Sequence, residues 1–146
     1  MGDNAGMTEQ TCATPSSMRP RIALYSHDTM GLGHIRRNTL IAQTLIQPPL
    51  SAQVLLVSGI RESGAFALPP GIDSITLPAY RKQPDGNYTA RALDMPLEQL
   101  VALRSQTILA ALTAFAPQLL IVDNVPRGAL SELDTVLPTM RARGTH

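Results

Sequence analysis

The chain contains 146 residues, of which 44% are hydrophobic and 16% are charged. This composition is typical of one globular domain with a sizeable core and argues against intrinsic disorder. The net charge is +1, so no strong electrostatic field attracts nucleic acid. Cys12 is the only cysteine, which excludes an intrachain disulfide and predicts a reducing, cytoplasmic setting.

The first residues differ in composition from the rest of the chain. Residues 1–19 are rich in small and polar side chains and lack the apolar core and basic region of a secretory signal. They predict a disordered leader, followed by a single domain over residues 20–146. No apolar stretch reaches the length that a transmembrane helix needs, whereas peripheral contact with a membrane stays possible.

The first half of the domain alternates between apolar runs and one amphipathic segment. Residues 21–26 predict a buried first strand, and residues 33–47 predict a helix that a Pro-Pro pair ends. A second buried strand is predicted over 54–58. An alternating pattern over 72–77 predicts the third strand.

The second half begins with a polar connection and returns to the same alternation. Residues 78–93 predict a long loop with a turn signal near its middle. A helix is predicted over 96–115 and a fourth buried strand over 119–122. A final helix is predicted over 132–143, interrupted or started late by Pro138.

Apolar strands that alternate with helices predict an α/β fold with a Rossmann-like, doubly wound parallel sheet. In such sheets, ligands bind beyond the carboxyl ends of the strands. This rule places the loop 26–34 on the same edge as Asp123 and Asn124. Residues 141–146 predict a helix end and a turn where such a sheet would receive another strand, so we expect the domain to be incomplete.

A glycine-rich loop links the first predicted strand to the first helix. Gly31 and Gly33 allow the backbone to approach a ligand closely. The helix that follows offers unpaired N–H groups and a positive dipole end, which suit an anion. A binding site is therefore predicted here, and ionisable side chains accompany the glycines: His27, Asp28, His34, Arg36 and Arg37.

Two common glycine-loop motifs fit this segment poorly. Gly31 and Gly33 match the first two glycines of the dinucleotide fingerprint, but Arg36 occupies the third position. The second strand also ends without the carboxylate that binds a ribose. A nucleotide-binding oxidoreductase is therefore disfavoured, although it stays an alternative. No Gly-Lys-Ser/Thr sequence follows the loop, which excludes a P-loop.

The run over residues 25–37, YSHDTMGLGHIRR, resembles the amino-terminal domain of GT-B glycosyltransferases, in particular the family-28-like predicted bacterial enzymes. A second stretch is similar through Val122, Asp123, Pro126, Gly128, Glu132 and Leu133. The resemblance implies the acceptor-binding half of a hexosyltransferase that moves a sugar from a nucleotide-sugar donor to an acceptor hydroxyl. The donor-binding domain is absent from this sequence, so we expect it in cis or on a separate chain.

The resemblance also implies catalytic roles for two residues. His34 matches the histidine of the family's G-x-G-H motif and is the implied general base, since imidazole exchanges protons near neutral pH. Asp123 is the implied partner that orients the histidine and stabilises its protonated form. The structural alternatives are a helix cap or phosphate contact for His34 and a loop cap for Asp123.

Further residues are predicted to contact substrate: His27, Asp28, Gly31, Gly33, Arg36, Arg37 and Asn124. The alternative is a structural role for His27 and ordinary surface charge for Arg36 and Arg37. His27 and Asp28 are an alternative base and orienting group, and Asn124 is either a sugar ligand or a turn residue. Side chains of the polar connection that suit sugar binding are Tyr80, Arg81, Tyr88 and Arg91. Neither a cofactor nor a metal is expected. The alternative to an enzyme is a non-catalytic module that needs a partner chain.

Overall fold

A computed structural model describes residues 18–27, 33–60 and 67–146 of the chain. Its elements in chain order are β1 (Arg21–Ser26), α1 (Gly33–Leu45), β2 (Gln53–Ser58), β3 (Ile72–Thr76), β4 (Tyr80–Lys82), β5 (Tyr88–Ala90), α2 (Leu97–Phe115), β6 (Leu119–Asp123), a 3-10 turn (Ala129–Ser131) and α3 (Val136–Ala142). The leader predicted over 1–19 lies almost wholly outside the described residues. Within the described ranges, no helix combines the length and the apolar character needed to cross a bilayer.

Four parallel strands form the central sheet in the order β3-β2-β1-β6. This order confirms the predicted α/β fold with a Rossmann-like parallel sheet. Thr76, Ser58, Ser26 and Asp123 share one row, because each is the register partner of its neighbour. The carboxyl ends of all four strands therefore meet at a single edge. Between β1 and β6 the chain connections diverge, which makes this gap the switch point of the sheet.

The sheet buries both of its faces, and β1 lies at its centre. Ile22 and Leu24 join an apolar cluster with Ala42 of α1, whereas Ala23 and Tyr25 join a cluster under α2 and α3. This division follows from the alternation of side chains along a strand. Full burial of a large aliphatic side chain stabilises the fold by roughly 1.5–3 kcal/mol. The unbroken apolar runs of the strands are thus explained by helices on both sides.

The polar connection predicted over 78–93 contains a small antiparallel hairpin that the sequence did not reveal. Tyr80 pairs with Ala90, and Lys82 pairs with Tyr88. Gly86 adopts a positive φ of 88° in the turn between the strands, where a side chain would be strained. Each strand has only three residues, too few for an alternating pattern to be recognised.

The carboxyl-terminal helix is shorter than predicted. Residues 129–135 form the 3-10 turn and further turns, and α3 begins only at Val136. Pro138 is the third residue of the helix and therefore lies in its first turn, where no intrahelical hydrogen bond needs its missing N–H. Beyond the helix, the His146 N–H donates to the Gln118 carbonyl at 3.0 Å, and the Leu120 N–H donates to the His146 carbonyl at 2.8 Å. Residue 146 therefore pairs along the outer edge of β6.

A buried ionic cluster ties the hairpin to the sheet. The Arg104 guanidinium on α2 donates two hydrogen bonds to the Glu132 carboxylate, at 2.6 and 2.7 Å, and both side chains are fully buried. The Tyr80 hydroxyl donates to the same carboxylate at 2.7 Å, and the Tyr25 hydroxyl donates to its other oxygen. A further N–H of Arg104 donates to the Pro78 carbonyl at 2.5 Å. One carboxylate therefore joins β1, the hairpin, α2 and the segment before α3.

The cluster also alters the acidity of its members. Burial, followed by the charge and hydrogen bond of Glu132, raises the pKa of both tyrosines, Tyr25 and Tyr80, above the ordinary range. Burial lowers the pKa of Arg104, but the bonds to Glu132 outweigh that effect and the pKa is raised. Both phenols therefore stay protonated as hydrogen-bond donors, and the arginine stays charged.

Replacement of Glu132 by Gln should destabilise the protein by about 3–5 kcal/mol, because it leaves the Arg104 charge buried without its counter-ion. Urea unfolding followed by far-UV circular dichroism measures the change. Asp134→Asn is the matched control, since Asp134 also pairs with an arginine, Arg127, but on the surface. A loss for Glu132→Gln no larger than that of the control would contradict the cluster's structural role.

Gly59→Ala should cost about 1–3 kcal/mol of unfolding free energy, because the new methyl group overpacks a tight contact. A Cβ at Gly59 would lie 2.8 Å from the His27 backbone oxygen, which cannot move without shifting the end of β1. Gly33→Ala should change stability by less than about 0.5 kcal/mol, since a Cβ there meets no atom of the described residues within 4 Å. Equal unfolding midpoints for the two variants would refute this packing argument.

Candidate functional site

The candidate site lies at the switch point, where β1 and β6 end side by side. Asp123 is the last residue of β6 and the register partner of Ser26, the last residue of β1. His34 is the second residue of α1, the helix that follows β1. The predicted edge therefore brings His34 and Asp123 together, although 89 positions separate them in the sequence.

His34 and Asp123 form a hydrogen-bonded pair. The Nδ1 atom of His34 lies 2.8 Å from the Oδ2 atom of Asp123. An ionised carboxylate only accepts hydrogen bonds, so this contact requires the imidazole proton on Nδ1. In the neutral ring, Nε2 then carries the lone pair and can accept a proton from a ligand. A carboxylate that fixes the tautomer in this way is the arrangement of a general base and its orienting group.

Arg37 joins the pair one helical turn after His34. Its guanidinium donates to the Oδ1 atom of Asp123, and its Nη2 atom lies 2.9 Å from His34 Nδ1. A guanidinium only donates, and the Nδ1 atom that donates to Asp123 cannot also accept, so the contact of Arg37 with Nδ1 is not a hydrogen bond in this tautomer. Asp123 thus holds two basic side chains through its two oxygens.

The side chains of His34, Asp123 and Arg37 differ in their solvent exposure. The Asp123 side chain is 11% exposed, that of His34 is 28% exposed and that of Arg37 is 55% exposed. The histidine is therefore accessible to a ligand while its carboxylate partner is shielded. Burial raises the pKa of the Asp123 carboxyl, but the hydrogen bonds from Arg37 and His34 outweigh burial and bring the pKa below its ordinary value. Asp123 is accordingly ionised at neutral pH.

His27 supports the pair from the end of β1. Its side chain is buried, and its ring centroid lies 5.5 Å from that of His34. This position makes His27 a packing neighbour of His34, less accessible to a ligand than His34 itself. Asp28 and Gly31, which the sequence places in the same loop, lie outside the described residues.

Three other predicted residues lie near this edge without joining the pair. Gly33 begins α1, and Arg36 is exposed on the same helix beside Thr39 and Leu40, where no described carboxylate pairs with it. Asn124 follows Asp123 with a φ of 67°. Asparagine tolerates this left-handed conformation better than most residues, which favours a turn role for Asn124.

The four hairpin residues predicted to suit sugar binding differ in solvent exposure. Tyr80 is 1% exposed and its hydroxyl is bound to Glu132, so its ring lies inside the domain and not on a surface that a sugar could reach. Tyr88 is half-buried and contacts the Tyr80 ring edge-on at 6.1 Å. Arg81 and Arg91 are exposed and line a cavity of about 500 Å³ at the end of β3.

Asn38, a buried polar residue one turn beyond His34, was not predicted from the sequence. Asn38 is 2% exposed, and its side-chain oxygen accepts no hydrogen bond in the described part of the chain. It shares the buried face of α1 with Ile35 and Ala42, so its position in that apolar stripe was the available signal. A buried polar atom without a hydrogen-bond partner costs free energy, so the side-chain oxygen of Asn38 is an unsatisfied acceptor within the described residues.

Comparison with known proteins gives no relative for this chain. No family model matches it, and no curated protein and no solved structure matches it either. Among the described residues, no group of three or more acidic, histidine or cysteine side chains is arranged to hold a metal ion. The ionisable side chains that interact at this site are those of His34, Asp123 and Arg37.

Asp123→Asn should destabilise the protein by about 1 kcal/mol at pH 7, since it removes a partly exposed ion pair. The folded-state pKa of Asp123 lies below its unfolded value, so the stabilisation is present above the unfolded pKa and is lost as the pH falls through the folded pKa. The difference between variant and wild type should therefore shrink from pH 7 to pH 3. Urea unfolding at both pH values tests this, and a difference that stays constant would contradict it.

Proposed function

We propose that this chain is the acceptor-binding half of a glycosyltransferase that uses a nucleotide-sugar donor. The observation that carries the proposal is the 2.8 Å contact between His34 Nδ1 and Asp123 at the switch point. It leaves Nε2 of an accessible imidazole free of its proton, as a general base requires. The resemblance of the segment around His34 to GT-B enzymes supplies the reaction class.

In the proposed reaction, His34 Nε2 takes the proton of an acceptor hydroxyl. The hydroxyl oxygen forms a bond to the anomeric carbon of the donor sugar, while the bond from that carbon to the nucleotide diphosphate breaks. The electron pair of the broken bond leaves with the diphosphate. This single displacement would invert the configuration of the anomeric carbon. Asp123 faces the imidazolium that forms and stabilises its positive charge.

Arg37 has a positioning role in this proposal. Its bond to Asp123 holds the carboxylate in place, and its exposed guanidinium can also face the charge of a diphosphate. Arg36, Asn124, Gly33 and His27 remain candidate substrate contacts, as do Asp28 and Gly31 of the neighbouring loop. The donor itself would be held by a second domain, in cis or on a separate chain. We place the reaction in the cytoplasm, since a single cysteine fits a reducing compartment.

His34→Ala should lower kcat by about 10²–10⁴-fold and change KM for the donor little, because a general base acts on the chemical step. The assay follows consumption of a panel of nucleotide sugars by the chain together with its donor-binding half, obtained from the continued reading frame or by co-expression. His146→Ala is the control, since His146 is exposed at the opposite end of β6. Asp123→Asn should lower kcat less than His34→Ala does.

The outcomes separate the competing assignments. Turnover that survives His34→Ala would keep the enzyme and remove His34 as its base, with His27 or Asp28 next to be tested. Absence of turnover with every donor, in a complex that retains its fold, would favour the alternative of a non-catalytic module that binds a partner chain.

A further inference from the structure

The cavity at the end of β3 is separate from the His34 site but lies on the same edge of the sheet. It measures about 500 Å³ and is enclosed by the end of β3, the strand-to-hairpin connection and the hairpin. Its apolar wall includes Leu77 and Leu100, both buried. The cavity lies at the end of β3 and Asp123 at the end of β6, and three strand spacings, roughly 14 Å in all, separate these two strands.

The charge of this cavity is one-sided. Arg81 and Arg91 line it, and no acidic residue does. Within the described ranges neither arginine forms an ion pair, and the only side-chain hydrogen bond of Arg81 is a long one of 3.3 Å to the Arg91 carbonyl. Two guanidiniums beside an apolar wall favour a ligand that carries an oxyanion on a less polar body.

The wall of the cavity is held rigidly by the Glu132 cluster. Pro78, which lines the cavity, accepts the 2.5 Å hydrogen bond from Arg104, and Tyr80 beside it is bound to Glu132. The backbone N–H of Arg91 donates to the carbonyl of Ala79 at 3.0 Å, which joins the two ends of the hairpin beside the cavity. A preformed cavity loses little conformational entropy when a ligand binds.

We propose that this cavity binds a carboxylate or phosphate group of the acceptor, held by Arg81 and Arg91. This inference rests on the proposed function in identifying the ligand as the acceptor. Because the cavity lies at the end of β3 and Asp123 at the end of β6, the acceptor would carry its anionic group well away from the hydroxyl that reacts. The class of acceptor that fits this cavity is thus a hydroxyl compound that carries a carboxylate or a phosphate.

The test is a titration of the isotopically labelled chain with three probes, followed by the amide resonances of Ala79, Ala90 and Ala92. Glucose 1-phosphate and glucuronate carry the anionic group, and glucose is the uncharged control. We expect saturable shifts with at least one anionic probe and none with glucose. Arg81→Gln and Arg91→Gln should each weaken that binding at least about tenfold. Lys82→Gln is the matched control, since it removes the same charge from the next residue, outside the cavity.

The probes also separate the possible results. Preference for glucose 1-phosphate would identify a phosphorylated acceptor, and preference for glucuronate would identify an acidic sugar. Amide shifts of equal size with glucose would overturn the proposal. Amide shifts that persist unchanged in both arginine variants would also overturn it. Binding is measured without turnover and without a donor sugar, so it does not depend on the proposed reaction. If an anionic probe binds but no nucleotide sugar is consumed, the proposed reaction is refuted and the anion site is supported.

Discussion

The bond between Glu132 and Arg104 is the interaction on which the arrangement of the carboxyl edge depends. A fully buried ion pair is costly to desolvate and is retained only when its remaining hydrogen-bonding capacity is used. Here Tyr25 and Tyr80 complete the shell of the carboxylate, and the Pro78 carbonyl accepts a remaining arginine N–H. The cluster therefore fixes the end of β1, the hairpin and the entry to α3 relative to one another.

The segment between Asp123 and Glu132 gains its shape from this anchor. Asn124, Leu130 and Ser131 all adopt positive φ values, of 67°, 51° and 61°. Left-handed conformations of non-glycine residues cost about 1–2 kcal/mol each and persist where surrounding contacts hold them. The segment begins at the carboxylate that binds His34 and ends at the buried carboxylate that binds Arg104. Backbone strain in this segment is therefore sustained by the buried cluster, and it adjoins the candidate site.

The sequence predicted the main sheet because β1, β2 and β6 are apolar runs with a clear stop, and β3 shows an alternating pattern. β1 and the long helix α2 agree with their predicted bounds to within one residue, whereas the hairpin strands were too short to be recognised. The rule that parallel strands share a carboxyl edge placed His34 and Asp123 on the same edge, whereas their pairing was implied by the resemblance to GT-B enzymes. The role of Arg37 as a partner of Asp123, and the Glu132 cluster, did not follow from any local pattern. They depend on which side chains converge across β1, α2 and the segment before α3, and only tertiary packing specifies that.

The charges of His34, Asp123 and Arg37 determine which ligand the candidate site would favour. Asp123 carries one negative charge and Arg37 one positive charge, so the pair is neutral while the His34 imidazole is neutral. When the imidazole accepts a proton, the three side chains of the site together carry one positive charge. Within the described residues, no second carboxylate is bonded to them. In the proposed reaction, the departing diphosphate would offset that charge as it forms, and differential stabilisation of this kind accelerates a reaction. Arg81 and Arg91 place further positive charge at the β3 side of the same edge. Because salt screens charges that lie on opposite sides of the sheet, these two arginines would act on the proposed acceptor and not on the imidazolium.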